Sequence, residues 1–202
     1  MKKFFTVVPL QQRLNKYYYE PVDNTRLDFG EKTAFPILTA INGYVRDGEK
    51  FTVIAPTVKN EAGARNSQAL REELESLAAK KGCEFTLELP EYEESSGIGA
   101  MTDIFRRLIE FTEAGDEMFS CMTYGSKPIS LAIQMAIQYA YRVRKNVTID
   151  CIVYGEIRRG GEPDRAYVYD ETALVKLDEV VHSLAERRVE NPAAVIDAIL
   201  GL

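Results

Sequence analysis

The feature that most constrains this chain is an alternation. Short β-branched or aromatic runs are separated by amphipathic stretches of helical period. The extended runs are Phe4–Val8, Phe51–Pro56, Glu84–Leu89, Glu117–Thr123 and Val147–Tyr154. Between them the spacing predicts helices over about Ala34–Arg46, Ala64–Lys81, Ile98–Glu113 and Pro128–Arg144. Leu70, Leu74 and Leu77 share one helical face, as do Ile104, Leu108 and Phe111. Gly82, Gly115 and Asn146 follow the helical stretches as left-handed stops. A βαβαβαβαβ order implies an α/β fold, a mostly parallel sheet with helices on both faces. Such sheets bind ligands beyond the carboxyl ends of their strands, near the topological switch point.

After Tyr154 the pattern changes. Ile157–Asp164 carries Arg158-Arg159-Gly160-Gly161 and Pro163, a turn, and Ala166–Tyr169 reads as a strand. The pair predicts an antiparallel hairpin on the sheet edge. Asp170 is placed to cap a helix running to about Val189, and Asn191-Pro192 opens a last short one. No repeat or linker divides the chain, so a single domain over 1–202 is expected, with its core in about 1–155 and the hairpin and helices in 156–202.

Composition narrows the function. With 25 Lys+Arg against 31 Asp+Glu, the net charge is −6. A protein that coats long duplex nucleic acid needs a basic excess, so any nucleic-acid ligand should be small and locally held. One His, three Cys and no Trp leave little for familiar catalytic or metal sites. Cys83, Cys121 and Cys151 are scattered, two of them in apolar runs, and read as buried reduced thiols. The apolar run Phe4–Leu10 is too short for a membrane span or a signal sequence, so a cytoplasmic protein without membrane contact is expected. No GxxxxGK[ST] and no GxGxxG occurs, which argues against an NTPase or a dinucleotide cofactor. No cofactor and no metal is expected.

The residues just after each parallel strand are the chemical candidates. They are Pro9 to Arg13; Thr57, Lys59, Asn60, Arg65 and Asn66; Ser95, Ser96, Gly97 and Gly99; and Thr123-Tyr124-Gly125-Ser126-Lys127-Pro128. Each type is also a common cap or turn former, but four such loops converge on one edge of an acidic chain. In CMTYGSKPISL, Gly125 permits a sharp turn, Ser126 suits a cap and Pro128 a first helical turn. Lys127 then stands at a helix mouth, where the dipole disfavours a cation unless an anionic ligand balances it.

Other features read as structure. His182 lies beside Val180, Val181 and Leu184 as a partly buried surface-helix histidine. Glu91-Tyr92-Glu93-Glu94 and Arg71-Glu72-Glu73 look like solvated faces. Tyr17-Tyr18-Tyr19 could stack on bases, although aromatic residues in a loop after a strand more often cover a core or a dimer seam.

The stretch LELPEYEESSGIGAMTDIFRRLIEFTEAGDEMFSCMTYGSKPISLAIQMAIQYA resembles the centre of CRISPR-associated CARF-domain proteins of the DxTHG type. Ile104-Phe105 matches the family's helix step, Gly115-Asp116-Glu117 its turn, and Cys121-Met122-Thr123-Tyr124-Gly125 its D-x-T-H-G strand end. Thr123 and Gly125 agree, whereas Cys121 and Tyr124 depart. DCIVYGE and VYDETALVKLDEVVHSLA are similar to later family segments, but Pro9-Leu10 replaces the usual Gly-Thr after the first strand. The resemblance implies a Rossmann-like homodimer binding a cyclic oligoadenylate (cA4 or cA6) across its two-fold axis. Carried over, ligand binding falls on Leu10, Gln11, Thr57, Asn60, Gly97, Thr123, Tyr124 and Gly125, and catalysis on Ser126 and Lys127. Backbone amides and Lys127 would hold phosphates, while hydroxyl and amide groups read 2′-OH groups and adenine edges.

Family members usually carry an effector domain after this module, and the residues after Val189 are too few for one. Three readings of a lone module follow. It is a ring nuclease that degrades the messenger in type III CRISPR antiviral defence without a metal, by in-line attack of a ribose 2′-OH. Alternatively it is a non-catalytic sensor acting through a separate effector chain, or a structural subunit.

Overall fold

The computed structural model describes residues 1–95, 97–161 and 164–201. Its elements run β1 (Lys2–Phe5), β2 (Tyr17–Pro21), β3 (Lys32–Thr33), α1 (Ile37–Tyr44), β4 (Lys50–Ile54), β5 (Thr57–Val58), α2 (Glu61–Lys81), β6 (Glu84–Glu88) and β7 (Glu91–Tyr92). They continue as α3 (Ile98–Glu110), β8 (Glu117–Cys121), α4 (Lys127–Val143), β9 (Thr148–Arg158), β10 (Arg165–Asp170), α5 (Thr172–Glu186) and α6 (Pro192–Leu200).

The main sheet has the order β3-β2-β10-β9-β8-β1-β4-β6. All pairings from β9 across to β6 are parallel. The chain is therefore a Rossmann-like α/β fold, as the alternation predicts. From β1 the chain steps to β4 and β6 through α1 and α2, which pack on one face through Ile37, Leu38, Ile41, Leu70 and Leu74. It then crosses to the far side of β1 and builds β8 and β9 through α3 and α4, on the other face through Ile104, Leu108, Ile133 and Ile137. The direction of travel reverses between β1 and β8, and that is the switch point.

The predicted strands start and stop a few residues from the observed ladders. Phe4–Val8 extends past the end of β1, yet the Thr6 and Val8 amides still donate to Ile54 and Pro56 carbonyls at 3.0 Å each. The helix predicted from Ala34 begins at Ile37, because the Thr33 hydroxyl accepts from the Phe35 amide at 2.9 Å and folds 33–35 into a turn before Pro36. Gly82 and Asn146 take the left-handed backbone expected of them, with φ of 61° and 56°.

Three expectations are corrected. Tyr17-Tyr18-Tyr19 is not a loop but most of β2, which pairs in parallel with β10. The β9–β10 hairpin is antiparallel as predicted but is not at the sheet edge, because β2 and β3 continue beyond it. Glu171 rather than Asp170 stands at the N-cap of α5, and that helix ends at Glu186. Asp170 still serves the helix start, its carboxylate accepting from the Thr172 amide at 3.1 Å and from the Thr172 hydroxyl. Ser96 and Pro163 lie outside the described residues.

Against β8, the register of β9 shifts between Met118/Ile149 and Phe119/Cys151, leaving Asp150 as an extra residue. This is a bulge. On the outer half of β9, Gly155 faces Pro36 and Tyr19 so closely that a Cβ would meet Pro36 Cγ at 2.6 Å. Only glycine fits there.

Candidate functional site

Two loops leave the switch point side by side. The loop after β1 carries Val8, Leu10 and Gln11, and the loop after β8 carries Gly125 and Ser126. With Tyr92, Glu94 and Ser95 they line a cleft of about 520 Å³. The position follows from topology, since the loops after β1 and β8 diverge to opposite faces and leave a crevice between them.

Each loop is held by a distinct device. Asn66 in the second turn of α2 is buried, and its amide donates to the Pro9 carbonyl at 2.6 Å and the Gln11 carbonyl at 3.0 Å. Arg65 donates to the same Gln11 oxygen at 3.2 Å. Two residues of one helix therefore fix the backbone of the first loop. In the second loop Gly125 has φ +95°, and a Cβ on it would meet Ile129 Cγ2 at 2.6 Å. That turn needs glycine and brings the loop backbone down onto the start of α4.

Ser126 occupies the N-cap of α4 without making a side-chain cap, so its exposed hydroxyl remains available. Its carbonyl accepts from the Ser130 amide at 3.2 Å. Lys127 is the first helical residue, exposed, and in no ion pair among the described residues. It stands beside the cleft rather than in its lining.

The other sequence candidates do not join this cleft. Thr57 is buried and its Oγ1 accepts from the Ser67 hydroxyl at 3.4 Å. Asn60 caps α2, its side-chain oxygen accepting from the Gly63 amide at 2.7 Å. Both line a neighbouring cleft of about 390 Å³ along α2. Gly97 is the N-cap of α3, and its amide donates to Ser95 Oγ at 3.1 Å. Thr123 Oγ1 accepts from the Gly155 amide at 2.7 Å and from the Cys121 thiol at 3.2 Å, stitching β8 to β9. The Tyr124 hydroxyl donates to the Ala34 carbonyl at 2.6 Å. Burial pushes its pKa up to about 12, so that hydroxyl stays protonated.

Residues beneath the loops are unreactive. Burial raises the Cys121 thiol, and with Asp170 nearby it pushes Cys151 up to about 12. The one histidine, His182, is exposed rather than partly buried, with Nε2 3.3 Å from a Glu186 oxygen. Among the described residues no group of three or more His, Cys, Asp or Glu side chains could hold a metal ion, and no helix is long and apolar enough to cross a membrane. Compared with known proteins, the sequence matches no family model and no curated protein.

Proposed function

We propose that this chain is a CARF-type module that binds a cyclic oligoadenylate at a rim shared by two copies. The observation that carries the reading is the meeting of Gln11, Ser95, Gly125 and Ser126 in one cleft at the switch point, with unpaired Lys127 beside it. Amides of the first turn of α4 and the Lys127 ammonium suit phosphates. The Ser126 and Ser95 hydroxyls and the Gln11 amide suit ribose 2′-OH groups and adenine edges. A cyclic ligand with its own rotational symmetry matches a two-fold pair of such rims, each copy offering the same loops.

A second reading, cleavage of the ring, is favoured by the exposed, unpaired position of Lys127. A ribose 2′-OH gives up its proton to water as its oxygen attacks the adjacent phosphorus, the P–O5′ bond breaks, the departing 5′-oxygen takes a proton from water, and a 2′,3′-cyclic phosphate and a free 5′-OH result. The protein's part is to hold 2′-O, phosphorus and 5′-O in line and to offset the charge growing on the phosphoryl oxygens. In this reading Lys127 and the α4 amides serve the second task.

Mixing pure protein with cyclic tetra- and hexa-adenylate in EDTA, then separating bound from free ligand, tests both readings. Intact ring that co-elutes with protein supports the sensor, and linear fragments support the nuclease. Failure of both rings to bind overturns the proposal. Lys127→Ala should weaken binding about tenfold or more, in line with loss of a charge-assisted phosphate contact.

A further inference from the structure

The switch-point reading leaves the tyrosine run unused. On the face of the sheet covered elsewhere by α3 and α4, the part built from β3, β2, β10 and the outer half of β9 carries side chains open to solvent. Lys32 lies opposite Tyr18, Tyr167 opposite both Glu20 and Glu156, Tyr169 opposite Tyr154, and Arg165 opposite Arg158. Tyr18 is 61% exposed and Tyr154 41%. Lys32 Nζ sits 5.3 Å from the Tyr18 ring centre, and Arg158 Cζ 4.6 Å from that of Tyr167.

Of the two carboxylates opposite Tyr167, Glu156 is engaged by side chains of this surface and Glu20 is exposed. Glu156 accepts from Arg158 at 3.0 Å and from the Tyr169 hydroxyl at 2.9 Å. Neighbouring Tyr167 and Glu20 raise the Arg165 guanidinium above its ordinary pKa. Lys32 and Arg165 form no ion pair among the described residues. On a chain of net charge −6, this surface sets three cations, Lys32, Arg158 and Arg165, among its rings against the carboxylates of Glu20 and Glu156.

We infer that this sheet face binds single-stranded nucleic acid. Tyr18 lies opposite Lys32 on β3 and, one residue back from the Ala166–Tyr19 pair, beside Arg165 on β10, with neighbouring strands about 4.8 Å apart, so one nucleotide can stack its base on Tyr18 and set its phosphate on a flanking cation. A second copy of the chain is a poorer occupant. The core of a protein interface is depleted of charge, whereas here Lys32, Glu20, Glu156, Arg158 and Arg165 stand among the rings. Duplex is also a poorer occupant, because its stacked bases offer no free faces to the tyrosines. The inference stands apart from the cyclic-ligand reading and uses none of its residues.

Fluorescence anisotropy with a short labelled oligoadenylate RNA, its deoxy counterpart and the matching duplex provides the test. Both single strands should bind, the duplex distinctly less. Binding of RNA alone would still support the face and assign 2′-OH contacts to it. The double variant Tyr18→Ala/Tyr167→Ala should raise Kd about tenfold, and Arg165→Ala should flatten the salt dependence. All three side chains point to solvent, and Arg165→Glu gives an independent variant should the double one fail to fold. Absence of single-strand binding overturns the inference, as does unchanged affinity in these variants. A loss of dimer mass in sedimentation with RNA affinity intact would overturn it too, making the face an interface between copies.

Discussion

Tyr124 and Ala34 are joined by a hydrogen bond of 2.6 Å that spans 90 residues of sequence. It ties the loop after β8, on which Gly125 and Ser126 lie, to the segment that leads into α1. The phenol ring also meets Phe35 edge-on, with centroids 6.5 Å apart. This tyrosine stands where the DxTHG pattern has histidine, and its polar atom is committed to the fold.

Tyr124→Phe therefore removes the donor and leaves the Ala34 carbonyl without it. We expect a loss of about 1 kcal/mol in urea unfolding, the usual net value of such a bond. Cyclic-adenylate affinity should stay within about twofold, because the phenol is outside the cleft lining. A large loss of affinity at unchanged stability would show the hydroxyl to be a ligand contact instead.

Asn66 is the second lever on the site. Asn66→Ala deprives the Pro9 carbonyl of its side-chain donor, leaves the Gln11 carbonyl to Arg65 alone, and should cost about 1–3 kcal/mol. It should also speed amide exchange over residues 10–12 and weaken ligand binding, although Asn66 is outside the cleft lining. Asn66→Asp keeps the size but not the donor, so it should behave like the alanine variant. Unaltered exchange in both would remove Asn66 from its positioning role.

Alkaline pH tests the thiol and phenol environments. Burial raises Cys151 from 9.0 to about 12 and Tyr124 from 10.0 to about 12. Both groups are neutral when protonated, and their folded pKa lies above the unfolded one. Their contribution is thus fully present below about pH 9 and is lost as pH climbs toward 12. The Tm should fall steadily over that window. Near pH 8, a thiol reagent should modify half-exposed Cys83 and spare Cys121 and Cys151 until denaturant is added. Rapid labelling of all three in the native protein would contradict the burial described.

The parallel half of the fold was legible because its signals are local. Leu70, Leu74 and Leu77 announce α2 within a few turns, and the order of elements then dictates the crevice after β1 and β8. β2 was not legible: its nearby partner, β3, is only two residues long, and the longer strand it joins, β10, lies some 150 residues on. Pairing at that separation leaves no mark on local pattern. At the site, the strand-end rule found Leu10, Gln11, Gly125 and Ser126. It could not tell that Asn60, Thr123 and Tyr124 spend their polar atoms on the chain itself, because a hydrogen-bond partner is a tertiary fact. Asn66 was visible as a polar residue at a helix start, but its hold on Pro9 and Gln11 was not.

The bulge at Asp150 decides how this ribbon tolerates change in length. Removing Asp150 restores plain alternation between Ile149 and Cys151 and leaves Tyr154 and Arg158 pointing outward. Removing Ile152 instead can keep that parity only by closing the bulge, which turns Asp150 onto the face of Cys151 and Val153 and puts Cys151 where Ile152 was. Within β9, Asp150 is thus the place where a residue can be lost without pressing a carboxylate into the core.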